Sequence, residues 1–296
     1  MIAYLYICST SFQYNGSDTI NEVCEKLVNF SQLYDYIWEN FRSDNKFCVN
    51  TDKLSQALVY TKLTLSDILF SNDSPLKRPY RFLLQTTFQK SIPTKIDSNK
   101  DLYDYLSLES ADECQGIVVI NRQKDIPLCN QVFSSIQGWR EFRRYFLSKY
   151  PHSPEFFIQE ALKYFPNLQF SINICSRLGE VLSKHSHNIV AGLSILNDYC
   201  YNDWEKYSGE SVAFIEYFAK TYGIEGSFEG TKKTALKAHF KKLSGGDDFE
   251  CYCEPHLKYY QDDCGNEGQH MRIYFQHPNA SPDKCIYIGY IMKHID

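Results

Sequence analysis

Residues 249–296 read FECYCEPHLKYYQDDCGNEGQHMRIYFQHPNASPDKCIYIGYIMKHID. Three segments in this stretch, 249–259, 271–277 and 285–291, are rich in Tyr, Phe, Ile and Cys and are separated by polar turns holding Gly or Pro. That pattern predicts three strands of an antiparallel sheet. The imidazoles of His256, His270, His277 and His294 and the cations of Lys258, Arg272 and Lys293 are concentrated here. Alternate residues of a strand share a face, so His256 goes with Lys258 and Arg272 with Tyr274. Antiparallel pairing through the turn at 261–270 brings the two pairs together, with His294 at the end of the sheet.

Imidazole, guanidinium, ammonium and phenol are the groups that metal-free RNA cleavage needs. One deprotonates the ribose 2′-hydroxyl, cations hold the phosphate charge, and an acid protonates the leaving oxygen. The candidate catalytic set is therefore His256, Lys258, Arg272, Tyr274 and His294. His256 serves as base or acid, Lys258 and Arg272 hold phosphate, and His294 or Tyr274 is the partner acid. The plainer reading is a solvated sheet face on which Lys and Arg cover aromatic rings.

Working back from this stretch, 226–242 is a Gly- and Lys-rich connection, partly helical at 231–242, and 244–248 is a turn. Residues 134–150, 154–164, 174–184, 187–204 and 211–222 each carry a helical period, and Gly223 is placed to end the last of them. In the first, Trp139, Phe142, Tyr145 and Phe146 form an apolar side, and Arg140, Arg143, Arg144 and Lys149 a basic one. Further back, 2–8 and 116–120 are short apolar runs of the kind buried on both faces of a sheet. Ser17 or Asp18 can cap a helix over 19–41, a second amphipathic segment covers 51–70, 80–88 has strand composition, and 101–108 is a short helix. The fold class expected is α+β: a small N-terminal α/β part over 1–125, a central helical bundle over 126–225, and a C-terminal antiparallel module over 226–296.

The 296 residues suffice for one large domain or two ordinary ones, and 23 Tyr with 20 Phe predict an aromatic core. A formal charge of −5 gives no support to a nucleic-acid coat protein or a polybasic membrane binder, though a local basic face is compatible with it. The opening MIAYLYICST lacks a basic leader and is too short to span a bilayer, so it reads as a buried strand. Eleven cysteines, an odd number in a long chain, then read as packing thiols of a reducing cytoplasm.

Other constellations have weaker spacing. Cys251, Cys253, His256, Cys264, His270, His277 and Cys285 include no Cys-x-x-Cys, so no metal is expected. Arg177, His185 and His187 have the residue types of a helical ribonuclease site, at a longer interval. Asp101, Asp104, Glu109, Asp112 and Glu113, with Lys124, could surround Mg²⁺ but read more simply as an acidic solvated surface. No phosphate-cradling Gly loop is present, and no cofactor is expected.

The segments EPHLK at 254–258, RIYF at 272–275 and IYIGYIMKH at 286–294 together resemble a C-terminal module of uncharacterised bacterial proteins. They are also distantly similar to the sheet of RelE-type toxins, whose basic residues cut messenger RNA. The resemblance covers only the C-terminal stretch. It departs in its long polar insertions and in Met292, which stands where the module has Gly, and RelE-type toxins are much smaller. It implies a bacterial toxin or phage-defence effector acting on RNA as a metal-independent ribonuclease. On that reading RNA is the substrate, the helical part supplies a protein partner or homo-oligomer contact, and no membrane is involved. The alternative is a non-enzymatic sensor or partner subunit of a defence complex that uses the same sheet to bind protein, which the abundant Tyr also suits.

Overall fold

The computed structural model describes residues 1–96, 99–121, 129–207, 210–228, 236–241, 248–276 and 285–294. The chain packs as two compact units, 1–142 and 143–296.

In the first unit, β1 (Ile2–Ile7) leads through a 3₁₀ turn at Ser9–Phe12 into α1 (Ile20–Phe41) and β2 (Asn45–Val49). There follow α2 (Thr51–Ser55), β3 (Leu58–Tyr60), β4 (Leu63–Thr64), α3 (Leu65–Phe70), α4 (Arg78–Lys90), β5 (Ile92–Pro93), α5 (Asn99–Leu106), β6 (Glu113–Val118) and β7 (Val132–Phe133). The main sheet has the order β5-β2-β1-β6-β7, with every neighbouring pair parallel. The two apolar runs expected to share a sheet lie side by side, Leu5 opposite Gly116.

The cap of α1 is Thr19, not Ser17 or Asp18. Thr19 Oγ1 accepts from the Glu22 N–H at 3.3 Å and the Glu22 carboxylate accepts from the Thr19 N–H at 2.7 Å. Ser17 and Asp18 instead donate their N–H groups to the Asn15 side chain. Residues 51–70 are not one helix, because the β3-β4 hairpin interrupts them and Thr61 at its turn has φ 35°. The strand expected at 80–88 is helix α4. Pro79 sits in its first turn, and Thr86 and Thr87 donate their hydroxyls to the carbonyls four residues back, which accommodates β-branched residues in a helix.

Helix α6 (Ile136–Lys149) begins in the first unit and ends in the second. The second unit continues with α7 (Pro154–Tyr164), β8 (Leu168–Phe170), α8 (Cys175–Leu178), α9 (Leu182–Lys206) and α10 (Ser211–Tyr222). Then come β9 (Glu225–Phe228), β10 (Lys237–Phe240), β11 (Phe249–Tyr252), β12 (Pro255–Gln261), β13 (Glu267–Gln276) and β14 (Ile286–Lys293). Gly223 ends α10 in the left-handed region, as expected. A five-stranded sheet has the order β8-β14-β13-β12-β9, antiparallel except for β8 beside β14.

The middle region is therefore not all helical, since β8 from within it completes the C-terminal sheet. Residues 249–259 are two strands in two sheets: β11 pairs with β10, and β12 with β13 and β9. The expected basic side of α6 is partly core. Arg143, 1% exposed, bonds Tyr164 Oη at 2.7 Å and Glu160 at 3.2 Å, and buried Arg144 holds Asp198 through both terminal nitrogens.

One face of the large sheet packs on α9 and α10. A Cβ on Gly192 would stand 2.6 Å from Ile273 Cδ1, and one on Gly226 would stand 3.2 Å from Ile215 Cγ2. The other face is covered at one end by the β10-β11 hairpin, through a cluster of Leu236, Ala238, Phe240, Cys253, Tyr274, Tyr287 and Met292. No helix among the described residues is long and apolar enough to cross a membrane.

Candidate functional site

In the first unit, the strand order reverses between β1 and β6. Sheets of this kind bind ligands in the crevice beyond the carboxyl ends of the two strands at such a point. Here the chain's own atoms bridge that crevice. Ser11 Oγ donates to the Cys8 carbonyl at 2.6 Å and accepts from the Ile120 N–H at 3.2 Å. Lys26 Nζ joins the following loops through Asp18 at 2.6 Å and Asn121 at 2.7 Å, and that bond holds the Asp18 carboxyl below its ordinary pKa.

In the second unit, the register of β12 and β13 sets His256 opposite Tyr274 and Lys258 opposite Arg272. All four therefore lie on one face, as alternation requires. Along that face the exposure rises step by step. His256 and Tyr274, 1% and 0% exposed, lie at the covered end. Lys258 and Arg272 are half-buried, and Tyr260 and His270 are open to solvent. Tyr260 and His270 meet edge to face with ring centroids 5.2 Å apart.

The covered end does not suit proton transfer to a substrate. Glu254 O, a carbonyl, can only accept, so His256 Nδ1 donates to it at 3.1 Å. Nε2 then accepts from Ser227 Oγ at 3.1 Å in the neutral ring. The imidazole also lies against the Tyr274 ring, centroids 4.8 Å apart, and Arg272 donates to Tyr274 Oη at 3.3 Å. The face thus holds His256 and Tyr274 as buried, hydrogen-bonded packing groups and presents Lys258 and Arg272 beyond them. His294 follows β14 at the border of a separate cavity with Lys293 and His270, away from His256.

Two cations directly across an antiparallel pair repel each other. Glu225 of β9 is opposite Lys258, but its carboxylate accepts from Tyr260 Oη at 2.6 Å, a bond that raises the Tyr260 pKa. Lys258 forms no ion pair among the described residues. It borders a trough of about 520 Å³ whose other charged lining is Glu225, Asp262 and Glu267, together with Tyr260, Gln261, Gly268 and His270.

Compared with protein-family models, curated proteins and solved structures, the chain has no match.

The hairpin that carries the cations is fixed from an unexpected direction. Helix α9 loses helical geometry at His185, which has φ −131° and ψ 21°. Asp263, in the β12-β13 turn, caps the resumed helix by accepting from the N–H groups of His187 at 2.8 Å and Asn188 at 3.0 Å. The Asp263 N–H donates to Lys184 O at 2.9 Å, and Asn188 Nδ2 donates to Gln261 O at 3.0 Å. Asp262 shapes the turn itself, bonding Cys264 and Asn266, with its pKa lowered chiefly by the Asn266 side chain. Tyr260, Asp263 and His270 were absent from the candidate set. The DDCGN turn at 262–266 is readable as a turn, but nothing in it reveals that its second aspartate caps a helix 76 residues earlier.

The other constellations come apart. Cys251 and Cys253 pack in the hairpin core, where the Cys253 thiol bonds Cys251, raising its own pKa and lowering that of Cys251. Cys264 is exposed, and His277 lies outside the described residues. Arg177 pairs with Glu180 at 3.3 Å, while His185 is buried and His187 faces Asp263. Asp101 and Asp104 lie on α5, and Lys124 is outside the described residues. Among the described residues, no three His, Cys, Asp or Glu side chains are grouped to hold a metal ion. None of the eleven cysteines is in a disulfide.

Proposed function

We propose that the open part of this sheet face binds single-stranded RNA, and that the chain is the RNA-recognising component of a bacterial toxin or defence system. The observation that carries the reading is the cross-strand pair Lys258 and Arg272 on the open half of a sheet whose other face is backed by helices. Two adjacent cations match consecutive phosphates, and Tyr260 and His270 offer ring faces on which bases stack. RNA as the polymer is carried over only from the resemblance to RelE-type sheets read in the sequence of 254–294. Binding is favoured over cleavage because the groups required as base and acid are buried, His256 among Ser227, Glu254 and the Tyr274 ring and Tyr274 in the cluster under the β10-β11 hairpin.

Fluorescence anisotropy with a labelled single-stranded RNA tests the proposal. The wild-type chain binds, the Lys258→Gln/Arg272→Gln chain loses most of that affinity, and the RNA stays intact. Binding that is absent, or untouched by the double substitution, refutes it. Cutting of the RNA that His256→Ala abolishes restores the nuclease reading.

A further inference from the structure

Next to the trough, and sharing Gly268 and His270 with it, lies a second cavity of about 270 Å³. We propose that this cavity receives a phosphomonoester, the terminal phosphate of the bound strand or that of a free nucleotide. Its charged and titratable lining is Lys184, Lys293, His185, His270, His294 and Glu180. The carboxylate of Glu180 faces the Arg177 guanidinium at 3.3 Å. Lys293 forms no ion pair among the described residues. The ammonium of Lys184 is held by Gln269 Oε1 at 3.1 Å. Two ammonium groups and the imidazoles of His270 and His294 thus border a space whose one carboxylate is already engaged, which is the donor set of a dianion site.

Size and rigidity narrow the ligand. Sites for drug-sized ligands run to about 300–1,000 Å³, so this cavity takes a phosphate with little more than its sugar. Its walls are preformed. Gly268, at φ 76°, turns the start of β13, and Asp263 ties that hairpin to the break at His185. His185, 2% exposed, forms part of the wall. A terminal phosphate carries close to two charges where an internal phosphodiester carries one. A strand crossing Lys258 and Arg272 reaches the cavity past His270, which with Gly268 is common to both sites.

The strand-end form of this inference rests on the RNA reading, and the experiment separates the two. The full chain is titrated with RNA octamers bearing a 5′-phosphate, a 3′-phosphate or two hydroxyl ends, and with inorganic phosphate and AMP by calorimetry. A phosphate at one end is expected to tighten binding about tenfold, the effect of one charge-assisted hydrogen bond. Lys293→Gln removes that gain and leaves the hydroxyl-ended octamer unaffected, whereas Lys258→Gln weakens all three alike. Equal affinities for the three octamers overturn the strand-end form while the RNA reading stands. If no octamer binds, the RNA reading fails, and Lys293-dependent binding of phosphate or AMP supports the cavity as a nucleotide site. The absence of that binding too overturns the inference.

Discussion

Replacing Gly289 by alanine tests how tightly the β10-β11 hairpin packs on the sheet face that holds Tyr274. Gly289 lies in β14, where an added methyl would stand 2.6 Å from Cys253 Sγ, 2.8 Å from Cys253 Cβ and 3.3 Å from Ala238 Cβ. All three atoms belong to the layer packed over that face. Cys253 is fully buried and too short to swing clear, so the layers must separate to admit the methyl. Overpacking of this kind costs about 1–3 kcal/mol. The smaller conformational freedom of alanine in the unfolded chain returns about 0.4–1 kcal/mol. The net loss is about 1–2 kcal/mol, or about 2–8 °C in Tm for a domain of this size class. Scanning calorimetry of the full chain measures it. Adding Cys253→Ala removes the closest atom, and the pair should be less destabilising than the sum of the singles by about 0.5–1 kcal/mol. An unchanged or raised Tm in the single variant, or strict additivity in the double, refutes the packing argument.

Three further outcomes are expected. If Lys258 and Arg272 each neutralise a phosphate, the double Gln variant lowers the slope of log Kd against log salt by about 1.4, at about 0.7 per phosphate for single strands; equal slopes in the two proteins would remove both contacts. Glu160→Ala takes the carboxylate from buried Arg143 and Lys163 and should cost about 3–5 kcal/mol in urea unfolding, and a loss below about 1 kcal/mol would show that Arg143 does not depend on it. Burial lowers the His185 pKa from 6.5 in the folded chain, so below about that pH the unfolded chain takes up a proton that the folded chain resists, and stability falls as pH falls. His185→Gln should flatten the decline in stability between about pH 7 and pH 5, and parallel curves for the two proteins would assign the decline to other groups.

The candidate face was legible to the extent that strand alternation is. Once β12 and β13 pair antiparallel, His256, Lys258, Arg272 and Tyr274 must share a side, because the side-chain period of a strand is two. Which of the four meets solvent was not legible. That depends on the hairpin formed by 237–240 and 249–252, whose cover over one end comes from packing of Phe240, Cys253 and Tyr287. His294 shows the same limit. It is close in sequence to β14, but strand direction carries it to a different cavity from His256.

By itself the sequence determined the local elements whose signal is carried by neighbouring residues. The apolar run of β1 specifies a buried strand, Pro154 opens α7, Gly223 ends α10, and the Tyr- and Ile-rich strands of the C-terminal sheet follow from their alternation and turns. Only the tertiary structure decided where those elements are spent. Residues 80–88 are strand-like in composition yet helical, since side-chain hydroxyls and burial of Leu84 and Thr87 on one side outweigh a propensity of a few tenths of a kcal/mol per residue. Leu168–Phe170, amid helices, becomes the edge strand beside β14. Arg143 and Arg144 leave the surface because Glu160 and Asp198 arrive from other helices to neutralise them. In each case the deciding partner lies well away in the chain, and the free energy of burial and ion pairing belongs to the contact and not to either segment alone.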